Sequence, residues 1–329
     1  MMALVTERVI TVVIPTYNGE RYLDALLTAV EAQRIEAVVE VLVVDSGSTD
    51  ATLEIVARHP GIRLITIPNS EFSHGGTRSM AARKSSGELI AYLTQDAVPL
   101  SDTWLAELSA PFAASNRVAL VTGRQHPRPT SFPLQKYEII GSFAALGPPD
   151  DTTWADGAAD VHLDHERDGF HSDVNAMVRR DLVLGSIPFR DVGYSEDMLM
   201  ARDVLEAGYI KAYAGRAAVE HSNDLTRAEY GKRIFDEVVG MRRIGFELPR
   251  ISRSRAFVRA VRGTAGDSRR LVTDTDFTWA QKLRWLAVNP SFQFRKWRSY
   301  RLAVTVRLDD ADVIAAESLE SERRSPPAG

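Results

Sequence analysis

Six short segments of this 329-residue chain carry side chains able to hold a phosphate, a divalent cation or a mobile proton. Pro15-Thr16-Tyr17-Asn18-Gly19-Glu20 offers a backbone turn with an aromatic ring beside it. Asp45-Ser46-Gly47-Ser48-Thr49-Asp50 offers a carboxylate that can accept the imide N–H of uracil or thymine, or a ribose hydroxyl. In Phe72-Ser73-His74-Gly75-Gly76-Thr77-Arg78, paired glycines let backbone N–H groups approach an anion at a helix start. Arg78 adds a fork of donors that matches a diphosphate, and His74, four residues earlier, shares its face if the helix begins early. Thr94-Gln95-Asp96 has a carboxylate able to hold Mg²⁺ or Mn²⁺ against two phosphates. Glu196-Asp197 places two acids at a helix start, and His221 supplies a lone imidazole. Taken singly, each segment also reads as a cap, a turn or a solvated charge.

The elements between these segments give them a common address. Short apolar runs at 9–14, 38–44, 62–67, 89–93 and 118–122 have the β-branched composition of buried parallel strands. Helical patterns fall between them at 20–33, 51–57, 76–85 and 102–112. This β-α-β alternation predicts an α/β fold: an open, mostly parallel sheet with helices on both faces. Such sheets bind ligands beyond the carboxyl ends of their strands, which is where the first four segments fall. Residues 126–169, rich in Pro and Gly, read as loops. A helix follows near 196–207 and short strands at 210–213 and 217–220. Beyond residue 225 the pattern is helical, at 228–240, 256–262, 280–288 and 292–306, and the tail from 309 reads as disordered.

The order of the segments resembles glycosyltransferase family 2, enzymes of the GT-A fold. The resemblance rests on Ile14-Pro-Thr-Tyr-Asn18, Val43-Val-Asp-Ser-Gly-Ser-Thr-Asp50, Gly75-Gly-Thr-Arg78 with Gly87-Glu88, and Thr94-Gln-Asp-Ala97. Tyr194-Ser-Glu-Asp197 and Val219-Glu-His221 extend it, so that it covers about residues 8–225. Phe72-Ser-His-Gly75 and Thr94-Gln-Asp-Ala97 look most like the rhamnosyltransferase-like branch. The resemblance implies a GT-A nucleotide-sugar-binding and catalytic domain over 1–225, a basic helical extension over 226–308, and the tail 309–329. It implies an inverting transfer from a dTDP-, UDP- or GDP-linked sugar to a glycan or polyprenyl-diphosphate-linked acceptor.

By the same resemblance, Pro15, Thr16, Tyr17, Asn18 and Asp45 line the nucleoside pocket, with His74, Arg78, Gln95 and Asp96 toward the diphosphate. Asp96 matches the last carboxylate of the family's metal motif, and with His221 would hold Mg²⁺ or Mn²⁺. Thr94 stands where that motif has its first carboxylate. Asp197 matches the catalytic base, Glu196 being the fallback, and Asp173, Asn175 and Arg180 lie in the acceptor-side region. Two other readings share the sheet. A nucleotidyltransferase would show a Gly-rich activating loop after the first strand, and Pro15–Glu20 has none. A nucleotide-sugar-binding scaffold without catalysis would not need Asp96, Asp197 and His221 together.

Composition bounds the rest. With 44% hydrophobic and 26% charged residues the chain is of ordinary globular type. Zero cysteines exclude disulfides and thiolate chemistry. The absence of a G-x-G-x-x-G turn weighs against a dinucleotide enzyme. Neither a secretory signal nor an apolar run of spanning length is evident, which points to a cytoplasmic protein or one lying against the inner face of the plasma membrane. The net charge of −4 is unevenly spread: residues 251–307 hold 13 Lys and Arg against 3 Asp. Arg295, Lys296, Arg298 and Arg301 with Trp297 and Tyr300 read as an interfacial stripe suited to an anionic membrane or to an oligomer contact. Trp279, Leu283 and Leu286 fall at helical spacing and are expected to pack. An otherwise acidic chain does not suggest nucleic acid.

Overall fold

A computed structural model describes residues 8–158, 163 and 167–324. In chain order its elements are β1 (Val9–Thr16), α1 (Glu20–Glu31), β2 (Val38–Asp45), α2 (Thr52–Ala57), β3 (Ile62–Thr66), α3 (His74–Lys84), β4 (Leu89–Leu93) and β5 (Val98–Pro99). Then come α4 (Trp104–Ser109), β6 (Val118–His126), α5 (Pro133–Leu146), β7 (Thr152–Asp156), β8 (Asn175–Arg179), α6 (Arg180–Leu184), α7 (Glu196–Glu206) and β9 (Ile210–Glu220). The chain closes with α8 (Arg227–Arg243), α9 (Arg253–Thr273), α10 (Trp279–Ala303), α11 (Ala311–Glu317) and α12 (Leu319–Arg324). It divides into two compact units: the described residues of 1–126, 141–191 and 196–221, and those of 127–140, 192–195 and 222–329.

The first unit is the expected α/β sheet. Its strand order is β3-β2-β1-β4-β8-β6-β9-β5, with β7 added against β9. Because strand side chains alternate faces, Ile10, Val12 and Ile14 of β1 bury against Leu23, Leu26 and Leu27 of α1. Val13, with Ile90 and Tyr92 of β4, buries on the other face, against Ala81 and Ala82 of α3 and Ala201 and Val204 of α7. Burial on both faces explains why these strands read as unbroken apolar runs.

One strand breaks the parallel pattern and decides where the site lies. β8 runs antiparallel between β4 and β6, with Asn175 paired to Leu93 and Arg179 to Leu89. An antiparallel strand enters at the edge where its parallel neighbours end. The residues preceding β8 therefore share an edge with those following β1, β2 and β4. Those trailing β8 fall at the opposite edge, about 13 Å away at 3.3 Å per residue.

The second unit packs Phe132, Tyr230, Phe235 and Phe292 at its centre. Capping boxes start α8 (Thr226 with Glu229) and α10 (Thr278 with Gln281). Four expectations change here and in the loop region. Residues 126–169 are not all loop, since α5 and β7 form there. The two helices expected around Pro290 are one, α10, and the pattern at 256–262 is the middle of a longer α9. The tail expected to be disordered forms α11 and α12, because Asp236 Oδ2 accepts from the backbone N–H groups of Leu319 and Glu320 at 2.9 and 3.1 Å. Residues 325–329 of that tail lie outside the described residues.

The fourth concerns the basic stripe, which is largely spent inside the unit. Lys296 pairs with Glu138, Arg259 covers the Trp297 ring at 4.8 Å, and the Tyr300 hydroxyl donates to the Pro249 carbonyl at 3.1 Å. Trp279 and Leu283, expected to pack, are instead 68% and 66% exposed. Among the described residues no helix is long and apolar enough to cross a membrane.

Candidate active site

The carboxyl edge of the first unit's sheet collects most of the residues singled out above. Its centre is Arg78 on the second turn of α3, only 6% exposed. Arg78 Nη1 donates to Glu196 Oε1 at 2.6 Å, and Nε lies 3.1 Å from Asp173 Oδ2. The Arg78 guanidinium sits 6.0 Å from the centre of the Tyr92 ring, whose hydroxyl donates to the Arg78 carbonyl at 3.2 Å. Asp173 is itself held by His171 Nε2 at 3.1 Å, and His171 Nδ1 meets Thr122 Oγ1 at 2.6 Å. A buried chain thus runs from β6 through the segment before β8 to α3 and the start of α7. Arg78 therefore faces carboxylates, not open space for a diphosphate.

Electrostatics sorts the three acids of this cluster. Burial would raise the Asp173 carboxyl, but the Arg78 charge and the His171 hydrogen bond outweigh it and hold it below its ordinary value. Glu196 is raised, chiefly by burial, which Arg78 only partly offsets. Asp197 is pushed up to about 7, first by burial, then by the negative charges of Glu196 and Asp173. One guanidinium cannot neutralise three carboxylates, so the group without a direct contact to it takes the proton most readily. Asp197 remains partly exposed and accepts the Met198 N–H on Oδ1 at 2.8 Å. A partly exposed acid poised near neutrality at the carboxyl edge of the sheet suits general acid–base work.

Asp96 and His221 meet at the same edge. His221 Nδ1 lies 2.9 Å from Gln125 Oε1, and Gln125 Nε2 donates to Ser172 Oγ at 3.0 Å. That amide orientation makes Gln125 the acceptor, so in the neutral ring Nδ1 carries the proton. His221 Nε2 then turns its lone pair toward Asp96 Oδ2, 3.5 Å away. Two electron-rich atoms face to face fit a cation, and the Gln125 contact fixes the ring as such partners do for metal-bound histidines. Among the described residues no group of three or more His, Asp or Glu could hold a metal. The pair therefore fits Mg²⁺ or Mn²⁺ only where phosphate oxygens complete the shell, as these ions commonly require. Thr94 Oγ1, where a carboxylate was expected by resemblance, is buried without a hydrogen-bond partner.

The loop after β1 is built with care. Asn18 adopts φ 49°, and its Oδ1 accepts the Thr49 N–H at 2.8 Å. Gln95 clamps Tyr17 from both sides, accepting its N–H at 2.8 Å and donating to its carbonyl at 3.0 Å. Asp45 accepts from Thr16 Oγ1, Ser48 Oγ and the N–H groups of Gly47 and Ser48. Both its oxygens are thus engaged within its own loops, while the Tyr17 ring is 40% exposed. Pro15 is half-buried at the end of β1. The paired glycines serve the fold: a Cβ on Gly75 would lie 2.7 Å from the Arg190 carbonyl, and the Gly76 N–H donates to its cap, Ser73 Oγ. His74 opens α3 edge-on to Phe72.

Two acceptor-side expectations need correction. Arg180 trails β8, so it lies at the far edge of the sheet, where Nε donates to the Ala82 carbonyl at 2.9 Å. Asn175 is fully buried and bolts the sheet: Oδ1 accepts from Trp104 Nε1 at 3.0 Å, and Nδ2 donates to the carbonyls of Arg124 and Ala217. A Cβ on Gly123 would lie 2.3 Å from that Nδ2, so the glycine makes room for it. Sequence reasoning placed the segment containing His171 on the acceptor side without giving the histidine a role, and missed Thr122 and Gln125 as members of the site. The available signal was that polar residues continue β6 past Val121.

Comparison with known proteins bears on the family and the fold. The profile of glycosyl transferase family 2 matches residues 11–185. The O-antigen chain rhamnosyltransferase RfbN of Salmonella typhimurium is 31% identical over 230 residues, 69% of this chain and 70% of that one. WbaN of Salmonella anatum, also an O-antigen chain rhamnosyltransferase, is 32% identical over the same shares. Among solved structures, a mannosyltransferase from Pyrobaculum calidifontis in complex with GDP-Man and Mn²⁺ superimposes with a TM-score of 0.53 at 18% identity. That superposition covers 90% of this chain and 84% of the other.

The Arg78 cluster makes a stability prediction. Arg78→Met leaves Asp173 and Glu196 buried without their counter-charge and is expected to cost about 3–5 kcal/mol. The loss should appear as a lower urea midpoint at pH 7 and shrink toward pH 4 as the acids take up protons. Equal midpoints for Arg78→Met and the native chain at pH 7 would show that the guanidinium does not hold the cluster.

Proposed function

Because this chain belongs to glycosyl transferase family 2, we propose that it transfers a sugar, with inversion, from a nucleoside-diphosphate donor to a hydroxyl of a glycan or lipid-linked acceptor. A deoxyhexose such as rhamnose is the sugar we assign, since both Salmonella relatives are rhamnosyltransferases. The observation that carries the mechanism is the Asp197 carboxyl, raised to about 7 beside the Arg78 cluster. In the step, an Asp197 oxygen takes the proton of the acceptor hydroxyl as the hydroxyl oxygen bonds to the anomeric carbon. The bond from that carbon to the diphosphate oxygen breaks on the opposite face, and the nucleoside diphosphate leaves with the electron pair. Glu196, bound to Arg78, orients the start of α7 and does not itself carry the proton.

Asp96 and His221 are the residues that would hold Mg²⁺ or Mn²⁺; when bound, such an ion offsets charge on the departing diphosphate. The exposed Tyr17 ring, Asn18 and the backbone after Pro15 are assigned to the nucleoside. Thr16 and Asp45 shape that loop through their mutual hydrogen bond, and His74 lies toward the diphosphate. Asp173, assigned by resemblance to the acceptor side, is buried against Arg78 and serves to hold the cluster in place. We assign the second unit's basic helices to an anionic membrane surface on the cytoplasmic side, where a polyprenyl-diphosphate-linked acceptor would be met. The residues suited to that contact are the exposed Phe257, Trp279 and Leu283, with attraction of about 1 kcal/mol for each basic residue near the surface.

Four outcomes follow. Asp197→Asn keeps the shape but cannot take a proton, so turnover should fall by about 10²–10⁴-fold with donor affinity unchanged. In the native chain turnover should rise as pH approaches 7 and then level, because protonated Asp197 below that point cannot act as base. Near-normal turnover in Asp197→Asn alongside loss in Glu196→Gln would move the base to Glu196. Asp96→Ala should abolish the Mn²⁺-dependent part of donor binding in calorimetry; an unchanged metal response would remove Asp96 from that role. Trp279→Ser with Leu283→Ser should reduce co-sedimentation with anionic vesicles at low salt, and equal pelleting of both proteins would exclude this face.

A further inference from the structure

A cavity of about 520 Å³ lies within the second unit, between α9, α10 and the first turns of α5. Arg259, Arg262 and Arg270 line it, spaced three and eight residues apart, so that α9 presents them on one face. Two are held in place by aromatic rings: Arg259 over Trp297 at 4.8 Å and Arg270 over Tyr137 at 5.6 Å. Among the described residues, no carboxylate pairs with any of the three.

The acids of the same wall are already engaged. Asp267 Oδ2 accepts from Asn289 Nδ2 at 2.8 Å and Gln293 Nε2 at 2.7 Å. Glu138 takes the Lys296 ammonium and, at 2.8 Å, the Tyr230 hydroxyl. Gly263 keeps the wall open, since a Cβ there would lie 2.4 Å from Gln293 Oε1. What remains is an open depression of ligand size lined by three exposed arginines, two of them held over aromatic rings, with no carboxylate among the described residues to meet them. Guanidinium forks match phosphate oxygens in geometry and charge.

We propose that this cavity is a second anion site, taking the phosphate or diphosphate group of a ligand. It uses residues of the second unit alone and does not depend on the transfer reading given above. A diphosphate could reach it on a lipid headgroup or free in solution, and the chemistry of recognition is the same.

The test is calorimetric titration of the full chain with inorganic diphosphate in EDTA. A triple variant, Arg259→Gln, Arg262→Gln and Arg270→Gln, is compared with the native chain. Arg262→Glu alone is the second variant, since that side chain has no partner to lose. One binding event should be present in the native chain, weaken as salt is raised, and lose at least tenfold in affinity in both variants. In Arg262→Glu, which breaks no ring contact, melting temperature and Mn²⁺-dependent nucleotide binding should be unchanged. A second arm uses neutral phosphatidylcholine vesicles with and without a polyprenyl diphosphate. Retention by the doped vesicles alone, lost in the triple variant, assigns the site to the lipid-borne group; binding of inorganic diphosphate without such retention assigns it to a free one. Equal diphosphate affinity in native chain and variants, or no diphosphate bound in either arm, overturns the proposal and leaves the arginines as solvated surface.

Discussion

The active-site edge depends on one unequal charge balance: the Arg78 guanidinium against Asp173, Glu196 and Asp197. A buried ion pair gains little net stability once desolvation is counted, so the cluster is better understood by what it fixes. It ties α3, the segment before β8 and the start of α7 to one point. It also leaves the third carboxylate without a direct cation: burial raises Asp197 first, and the charges of Glu196 and Asp173 raise it further. Position thus comes from the cluster, and reactivity from burial and the cluster together. Tyr92 and Thr122 extend the arrangement into the sheet, so the acids are anchored to strands on both sides of β8.

The fold was legible because its physics is local. Apolar runs of β-branched residues between helical periods gave β1–β4 and β6 within a residue or two at most ends, and carboxylates after strands pointed to the candidate edge. Asp96 and His221 lie 125 residues apart in sequence, and resemblance paired them. Their contact in space depends on β9 returning beside β6, which no local pattern encodes. Arg180 failed for a related reason: its segment could be placed near the site from sequence, but the direction of β8 could not, and direction decides which end of a strand faces a ligand. Asn175 stands at the site edge, paired with Leu93, but its side chain is buried in hydrogen bonds to Trp104, Arg124 and Ala217.

The second unit shows a different limit. Its surplus of positive charge was visible from composition, whereas the orientation of each side chain was not. Lys296, Trp297 and Tyr300 turn inward because Glu138, Arg259 and the Pro249 carbonyl meet them there. Trp279 and Leu283 turn outward although their spacing is that of a packing face. Helical periodicity says which residues share a face; it does not say whether that face is covered. The tail illustrates the same limit, since a single buried carboxylate, Asp236, is enough to cap residues whose composition suggests disorder.

The central claim is that burial, together with the acids of the Arg78 cluster, raises the proton affinity of Asp197. Carboxyl ¹³C NMR titration, with the Asp197 signal assigned by its absence in Asp197→Asn, measures that affinity directly and without substrate. The account predicts a midpoint about 7, displaced from the ordinary aspartate range near 4. It also predicts that the midpoint shifts when Glu196→Gln removes one neighbouring charge, downward because less repulsion then favours the ionised form. An Asp197 midpoint near 4, unmoved by that substitution, would contradict it.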